Sequence, residues 1–163
     1  EAIKKNKPNC RFYSAGSSEE MGNVDYSPQN IQHPIKPRSP YGASKAAARH
    51  LVKVYRESYG LFAVHGILFN HEGTKRGEEF VTRKISKGVA RIYAAIKNKQ
   101  NFQPIELGNL DSKRDWSDSR DFVEGVWLML NQDTPKDYIL ASILDLLCHF
   151  KLLYLFVGFF NFL

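Results

Sequence analysis

Tyr41 and Lys45 stand four residues apart in Tyr41-Gly-Ala-Ser-Lys45. On a helix that spacing puts both side chains on one face. An ammonium beside a phenol favours the phenolate, and a phenol tuned this way can take a proton from an alcohol near neutral pH. Upstream stands Ser17-Ser18-Glu19, at the end of a strand-like run. A hydroxyl, a carboxyl, a phenol and an ammonium meeting in one pocket make a set able to move protons. Tyr-x-x-x-Lys by itself is a common chance pattern, so its weight depends on the elements around it.

Those elements can be read in order. Arg11-Phe-Tyr-Ser-Ala15 has the composition of a short buried strand ending at Gly16. Residues 20 to 40 form a long loop with four prolines, Pro28, Pro34, Pro37 and Pro40, and a loop of that length in a compact domain is usually functional. Ser39 is a good N-cap and Pro40 suits the first helical position, so the spacing predicts a helix over Tyr41–Tyr59, closed by Gly60. Ala43, Ala46 and Ala47 allow close packing there, and Leu51, Val54 and Tyr55 extend the apolar side. Leu61 to Phe69 reads as a fully buried parallel strand. A polar loop spans residues 70 to 77. A second helix runs from Phe80 to Ala95, and a short strand covers Ile105 to Leu107. A third helix runs from Asp118 to Leu130, and a last strand from Tyr138 to Ala141. This alternation predicts an α/β sheet. Trp116 and Trp127 are expected in the core.

Hydrophobic content of 43% supports a real core, and the net charge of +6 fits either basic loops or an anionic ligand such as a nucleotide diphosphate. The basic residues are not gathered into a stripe, which argues against nucleic acid. Cys10 and Cys148 make no disulfide framework, and no Cys/His spacing suggests a metal site. A reducing, cytoplasmic setting is therefore the default. The chain opens with Glu1, not Met, and shows no signal-peptide pattern, as expected of a piece of something longer. No G-x-G-x-x-G occurs, so the phosphate-binding half of any dinucleotide fold is missing.

From Ile143 the composition turns apolar, with Asp145 and Lys151 the only formal charges up to Leu163. Three readings stand for this stretch. It is a foreign tail from a shifted frame or unspliced segment, a buried terminal helix, or a membrane anchor. The uninterrupted run falls short of the roughly 18 residues that a spanning helix needs, which counts against the third.

Four stretches together carry a resemblance: Arg11-Phe-Tyr with Ser17-Ser18-Glu19; Pro37-Arg-Ser-Pro-Tyr-Gly-Ala-Ser-Lys45; Gly66-Ile-Leu-Phe-Asn-His-Glu72 through Phe80-Val-Thr-Arg-Lys-Ile85; and Leu107-Gly-Asn-Leu-Asp-Ser-Lys-Arg-Asp-Trp116. They resemble the extended short-chain dehydrogenase/reductases, and within them the GDP-mannose 4,6-dehydratases, over about residues 10 to 142. The likeness implies an α/β fold: the C-terminal half of a Rossmann-like parallel sheet plus part of the small sugar-nucleotide-binding region, in residues 1–142. Residues 143–163 then form an apolar tail outside the family.

The same likeness implies an NADP-dependent lyase that converts GDP-mannose to its 4-dehydro-6-deoxy product through internal hydride transfer. Tyr41 would be the base on the sugar's 4-hydroxyl. Lys45 would hold the nicotinamide ribose. Ser17, where threonine is usual, would bond the reacting oxygen, and Glu19 would remove the C5 proton and assist loss of the 6-hydroxyl. His71 and Arg76 would touch NADP. Asn70 would contact the nucleotide sugar and Arg114 the diphosphate, with Arg83, Lys84 and Asn109 as further substrate-side candidates. A homo-oligomer is implied for the complete enzyme. With the cofactor-phosphate half absent, the isolated chain is expected to be inactive. A related nucleotide-sugar reductase or 4-epimerase, and a non-catalytic truncated or membrane-tethered remnant, stay open as alternatives.

Overall fold

A computed structural model describes residues 1–142 and the backbone pair Leu146–Leu147. The readings of the apolar tail lie otherwise outside the described residues. Two compact units are present. One is built from Glu1–His71 and residues 116–142; the other holds Glu72–Asp115 and the Leu146–Leu147 pair.

The first unit opens with helix α1 (Ala2–Asn6) and contains a three-stranded sheet. Its strands are β1 (Phe12–Ala15), β2 (Ala63–Leu68) and β6 (Asp137–Leu140), in the order β1-β2-β6. Both pairings are parallel: Phe12 lies opposite Ala63 and Ala15 opposite Gly66, while His65 lies opposite Asp137 and Leu68 opposite Leu140. Parallel neighbours need crossover connections, and the long helix α2 (Pro40–Tyr59) supplies the one between β1 and β2. β2 is buried along most of its length, with Val64 and Ile67 at 0% exposure, as its unbroken apolar run predicts. This is the parallel half-sheet of a Rossmann-like α/β fold.

The ends of α2 obey the expected chemistry. Ser39 Oγ accepts a hydrogen bond from the Gly42 N–H at 3.0 Å, Pro40 occupies the first turn, and Gly60 closes the helix at φ 63°, a left-handed conformation that glycine adopts without cost. The buried face departs from expectation. Gly42, Ala46 and Val52 are buried, whereas Leu51 is 60% exposed and Val54 49%. At 100° per residue Leu51 lies half a turn around from Gly42, so the small-residue row faces the sheet and the larger residues face away. Two arginines of the same row tie α2 to the start of β6. Arg49 Nε and Arg56 Nη2 bind the two carboxylate oxygens of Asp137 at 3.0 and 2.9 Å.

Helix α4 (Ser119–Leu130) buries Phe122 and Met129. Trp116 is buried as expected, but Trp127 is 66% exposed and is not a core residue: it falls on the face of α4 turned from Phe122 and Met129. The N-cap of α4 is Asp118, whose Oδ1 accepts from the Arg120 N–H at 2.8 Å. Hydrogen bonds from the Arg120 guanidinium and backbone hold this carboxyl down from its ordinary 3.8 to about 2. A depressed folded-state pKa means that the cap's contribution is fully present above the unfolded value and is lost as pH falls through about 2. In a carboxyl NMR titration Asp118 should therefore show its midpoint near 2; a midpoint near the ordinary value would contradict this pairing.

The segment after β2 is partly ordered as strand, where the sequence suggested a loop. β3 (Asn70–Glu72) pairs with β5 (Trp116–Asp118), a partner so distant in sequence that no local pattern announces it. In the second unit, α3 (Val81–Lys97) matches the expected second helix. The strand expected at 105–107 is not one. Ile105 packs instead on Gly88 of α3, so closely that a Cβ on that glycine would stand 2.6 Å from Ile105 Cδ1. The short β4 (Lys113–Arg114) pairs antiparallel with β7 (Leu146–Leu147).

Candidate active site

The end of β1 runs directly into the Ser17-Ser18-Glu19 stretch. Ser17 is extended and caps a single 3-10 turn, Ser18–Glu20, its Oγ accepting from the Glu19 N–H at 3.2 Å. The first turn of α2 lies on this turn. A Cβ at Gly42 would stand 2.5 Å from the Glu19 carbonyl oxygen, closer than any real contact, so only glycine lets the helix start come in this near. Tyr41, the residue before Gly42, is thereby placed at the Glu19 backbone, with its side chain 55% exposed. Introducing Ala at position 42 is expected to cost about 1–3 kcal/mol, because backbone rather than a flexible side chain must give way. Chemical denaturation of the full chain would measure it, and a loss under about 0.5 kcal/mol would count against so close an approach.

Lys45 comes to the same end of the sheet. Its Nζ donates to the Ala15 carbonyl at 2.8 Å and lies 5.6 Å from the centre of the Tyr41 ring, within the range of a cation–π contact. Ser17, Glu19, Tyr41 and Lys45 thus gather where β1 ends and α2 begins. Glu19 is exposed. The loop that follows is tied down: the Lys36 N–H donates to the Glu20 carbonyl, Lys36 Nζ pairs with Asp25, and the buried His33 donates from Nδ1 to the Pro34 carbonyl while Nε2 accepts from the Asp25 N–H.

Asn70 and His71 belong to β3 in the same unit. The His71 ring stacks on Phe122 at 4.8 Å between centres. Its Nδ1 lies 2.9 Å from the Phe69 carbonyl. A carbonyl only accepts, so Nδ1 donates and Nε2 is left for other contacts. The remaining candidates lie in the second unit. Arg76 pairs with Glu72 at 3.0 Å and covers the Phe80 ring at 3.5 Å. Arg83 and Lys84 are exposed near the start of α3, Asn109 is exposed and accepts from the Asp111 N–H, and Arg114 is exposed in β4.

Two residues of this region carry no motif. Glu20 and His65 are both fully buried and bonded to each other beneath the Ser17–Glu19 turn. The visible signals were slight: a doubled acid, and a histidine within an apolar strand. A separate cavity of about 490 Å³ is lined by Arg49, His50, Lys53, Arg56 and Lys136 among others, but by none of the candidate residues; its two arginines are already paired with Asp137. Among the described residues no helix is long and apolar enough to cross a membrane, and no three His, Cys, Asp or Glu residues are grouped to hold a metal ion.

Comparison with known proteins decides the family. The family model described as GDP-mannose 4,6 dehydratase matches residues 1–144. The chain belongs to the GDP-mannose 4,6 dehydratase family. It is 52% identical over 134 residues to GDP-mannose 4,6 dehydratase of Drosophila melanogaster, covering 82% of this chain and 33% of that protein. It is 51% identical over 132 residues to the Homo sapiens protein of the same name, covering 81% of this chain and 34% of that one. The chain therefore spans about a third of the length of these curated relatives. Among solved structures, dTDP-glucose 4,6-dehydratase from Bacillus anthracis in complex with NAD superposes with a TM-score of 0.80 at 18% identity, over 92% of this chain and 46% of that one. RMD from Pseudomonas aeruginosa complexed with NADPH gives 0.79 at 25% identity, over 93% and 51%. At such identities these two speak to the fold alone.

Proposed function

We propose that this chain carries the proton-moving part of a GDP-mannose 4,6-dehydratase, with Tyr41, Lys45, Ser17 and Glu19 as its working residues. The observation that carries this reading is the seat of the α2 N-terminus on the Ser17–Glu19 turn, with the Lys45 ammonium on the Ala15 carbonyl beside the Tyr41 ring.

The donor set suits a nicotinamide dinucleotide. Lys45 Nζ has three N–H bonds, and the one on Ala15 leaves the others for ribose hydroxyls. His71 Nε2 and the Arg76 guanidinium are further contacts, and we assign the cofactor as NADP. When bound, such a cofactor would supply reversible hydride transfer with the sugar, so no outside reductant would be consumed. The chain's own groups handle the protons. Tyr41 takes the proton of the sugar's 4-hydroxyl, and the Ser17 hydroxyl bonds the same oxygen. A ketone at C4 acidifies the C5 proton, which the exposed Glu19 removes and passes to the departing 6-hydroxyl, releasing water; once the hydride is restored at C6, the proton that Tyr41 took is returned to the sugar at C5. Asn70, Arg83, Lys84, Asn109 and Arg114 serve the nucleotide sugar, with the planar guanidinium of Arg114 suited to a diphosphate.

A chimaera in which residues 1–142 replace the matching stretch of the Drosophila melanogaster relative tests this. Supplied with GDP-mannose, it should give a 4-keto product lighter by one water. A folded chimaera that binds the nucleotide sugar yet returns only a 4-epimer, or the substrate unchanged, would refute the dehydratase reading.

A further inference from the structure

Burying a carboxylate and an imidazole completely is costly unless each finds partners. Glu20 and His65 are both at 0% exposure. Glu20 Oε1 lies 3.0 Å from His65 Nε2 and 2.8 Å from the Ser17 backbone nitrogen. His65 Nδ1 lies 3.1 Å from Ser14 Oγ. One oxygen thus receives two donors from different elements, the Ser17 N–H from the 3-10 turn and Nε2–H from β2. The result is an unbroken relay of bonds, Ser14–His65–Glu20–Ser17, from the middle of the sheet to the residue that opens the candidate catalytic turn.

Gly16 makes room for it. A Cβ there would overlap the His65 imidazole and stand 2.6 Å from Glu20 Oε1. The arrangement leaves one polar atom unsatisfied. Glu20 Oε2 is buried with no partner, and a well-packed apolar side chain commonly does as well as a buried ion pair or better. What the pair adds is direction: it fixes the Ser17 backbone against β2 and, through the capping geometry, orients the Ser17 hydroxyl and the Glu19 backbone.

We propose that Glu20 and His65 form a buried positioning pair that sets the Ser17-Ser18-Glu19 turn against Tyr41 and Lys45 without touching substrate. The role rests on the dehydratase reading; the pairing itself does not. Both are accessible in the full chain labelled with ¹⁵N. The imidazole spectrum of His65 should show the proton on Nε2, and the Ser17 amide should exchange slowly with solvent. In Glu20→Ala the Ser17 amide should exchange at least about tenfold faster, the scale of one lost charge-assisted hydrogen bond, while Val64 and Ile67 keep their wild-type rates. Glu20→Gln retains the Oε1 acceptor and should restore Ser17 protection to within about threefold. A merely destabilising change would speed Val64 and Ile67 together with Ser17, and Gln would not rescue it. If Glu20→Ala does not fold, the wild-type spectrum and Glu20→Gln still decide. An unprotonated Nε2, a fast-exchanging Ser17 amide in the wild type, or an unchanged rate in a folded Glu20→Ala would each overturn the proposal. A chimaera without dehydratase activity would leave these amide and imidazole results standing, so the two failures can be told apart.

Discussion

Replacing Tyr41 with Phe in the dehydratase chimaera is expected to lower turnover by roughly 10²- to 10⁴-fold, the range of a lost general acid–base group. GDP-mannose binding should stay within about threefold, since the hydroxyl acts on the reacting oxygen and not on the nucleotide. The substitution removes one oxygen from a ring that is already 55% exposed, so stability should change by no more than about 0.5 kcal/mol. That separation makes the experiment informative: a fall in activity cannot be blamed on the fold. Lys45→Met makes the useful comparison. It leaves the phenol but removes the ammonium held between the Ala15 carbonyl and the Tyr41 ring, and it should impair cofactor binding as well as turnover. A Tyr41→Phe chimaera working within tenfold of its parent would remove Tyr41 from the proton path and the proposed mechanism with it.

How much of this was open to a reader of the sequence depends on the range of each interaction. Local chemistry was legible. Ser39, Pro40 and Gly60 mark both ends of α2 because capping acts within a few residues. β2 declared itself by an unbroken apolar run, and four motifs carry the likeness to the family whose model matches the chain. What stayed hidden was set across the chain. Asn70–Glu72 becomes a strand because Trp116–Asp118 lies beside it. Ile105 has the composition of a strand, but it is consumed in packing on Gly88. The buried face of α2 differs from the expected one because Gly42 and Ala46, together with two nearly buried arginines paired to Asp137, occupy it while Leu51 and Val54 face away. Glu20 was overshadowed by its neighbour Glu19. Nothing local separates an exposed acid from a buried one; the difference is His65, 45 residues away, and the missing Cβ of Gly16.

The two arginines lead to the largest stability effect expected in the chain. Asp137→Ala should destabilise the first unit by about 3–5 kcal/mol, the usual cost of removing one partner from a buried ionic group. The geometry favours the upper part of that range. Arg49, Arg56 and Asp137 side chains are only 12%, 13% and 11% exposed, and the single carboxylate serves both guanidiniums. Arg49 Nη1 already lacks a partner, so without Asp137 two cations would face each other in a site with little water and one acceptor fewer. Backbone carbonyls of Ile31 and Ala63 would still hold one N–H of each arginine, which keeps the loss from being larger. Contrast the exposed Lys53–Glu57 pair on the same helix, 3.9 Å apart with both side chains more than half exposed. Glu57→Ala should cost at most about 0.5 kcal/mol. Denaturant unfolding of the full chain and both variants reads the difference directly. The consequence reaches the site, because Asp137 is what fastens the middle of α2 to the edge of the sheet, and α2 carries Tyr41 and Lys45 at its start. A loss below about 1 kcal/mol in Asp137→Ala would mean that packing alone holds the helix, and that the ionic cluster is a passenger on it.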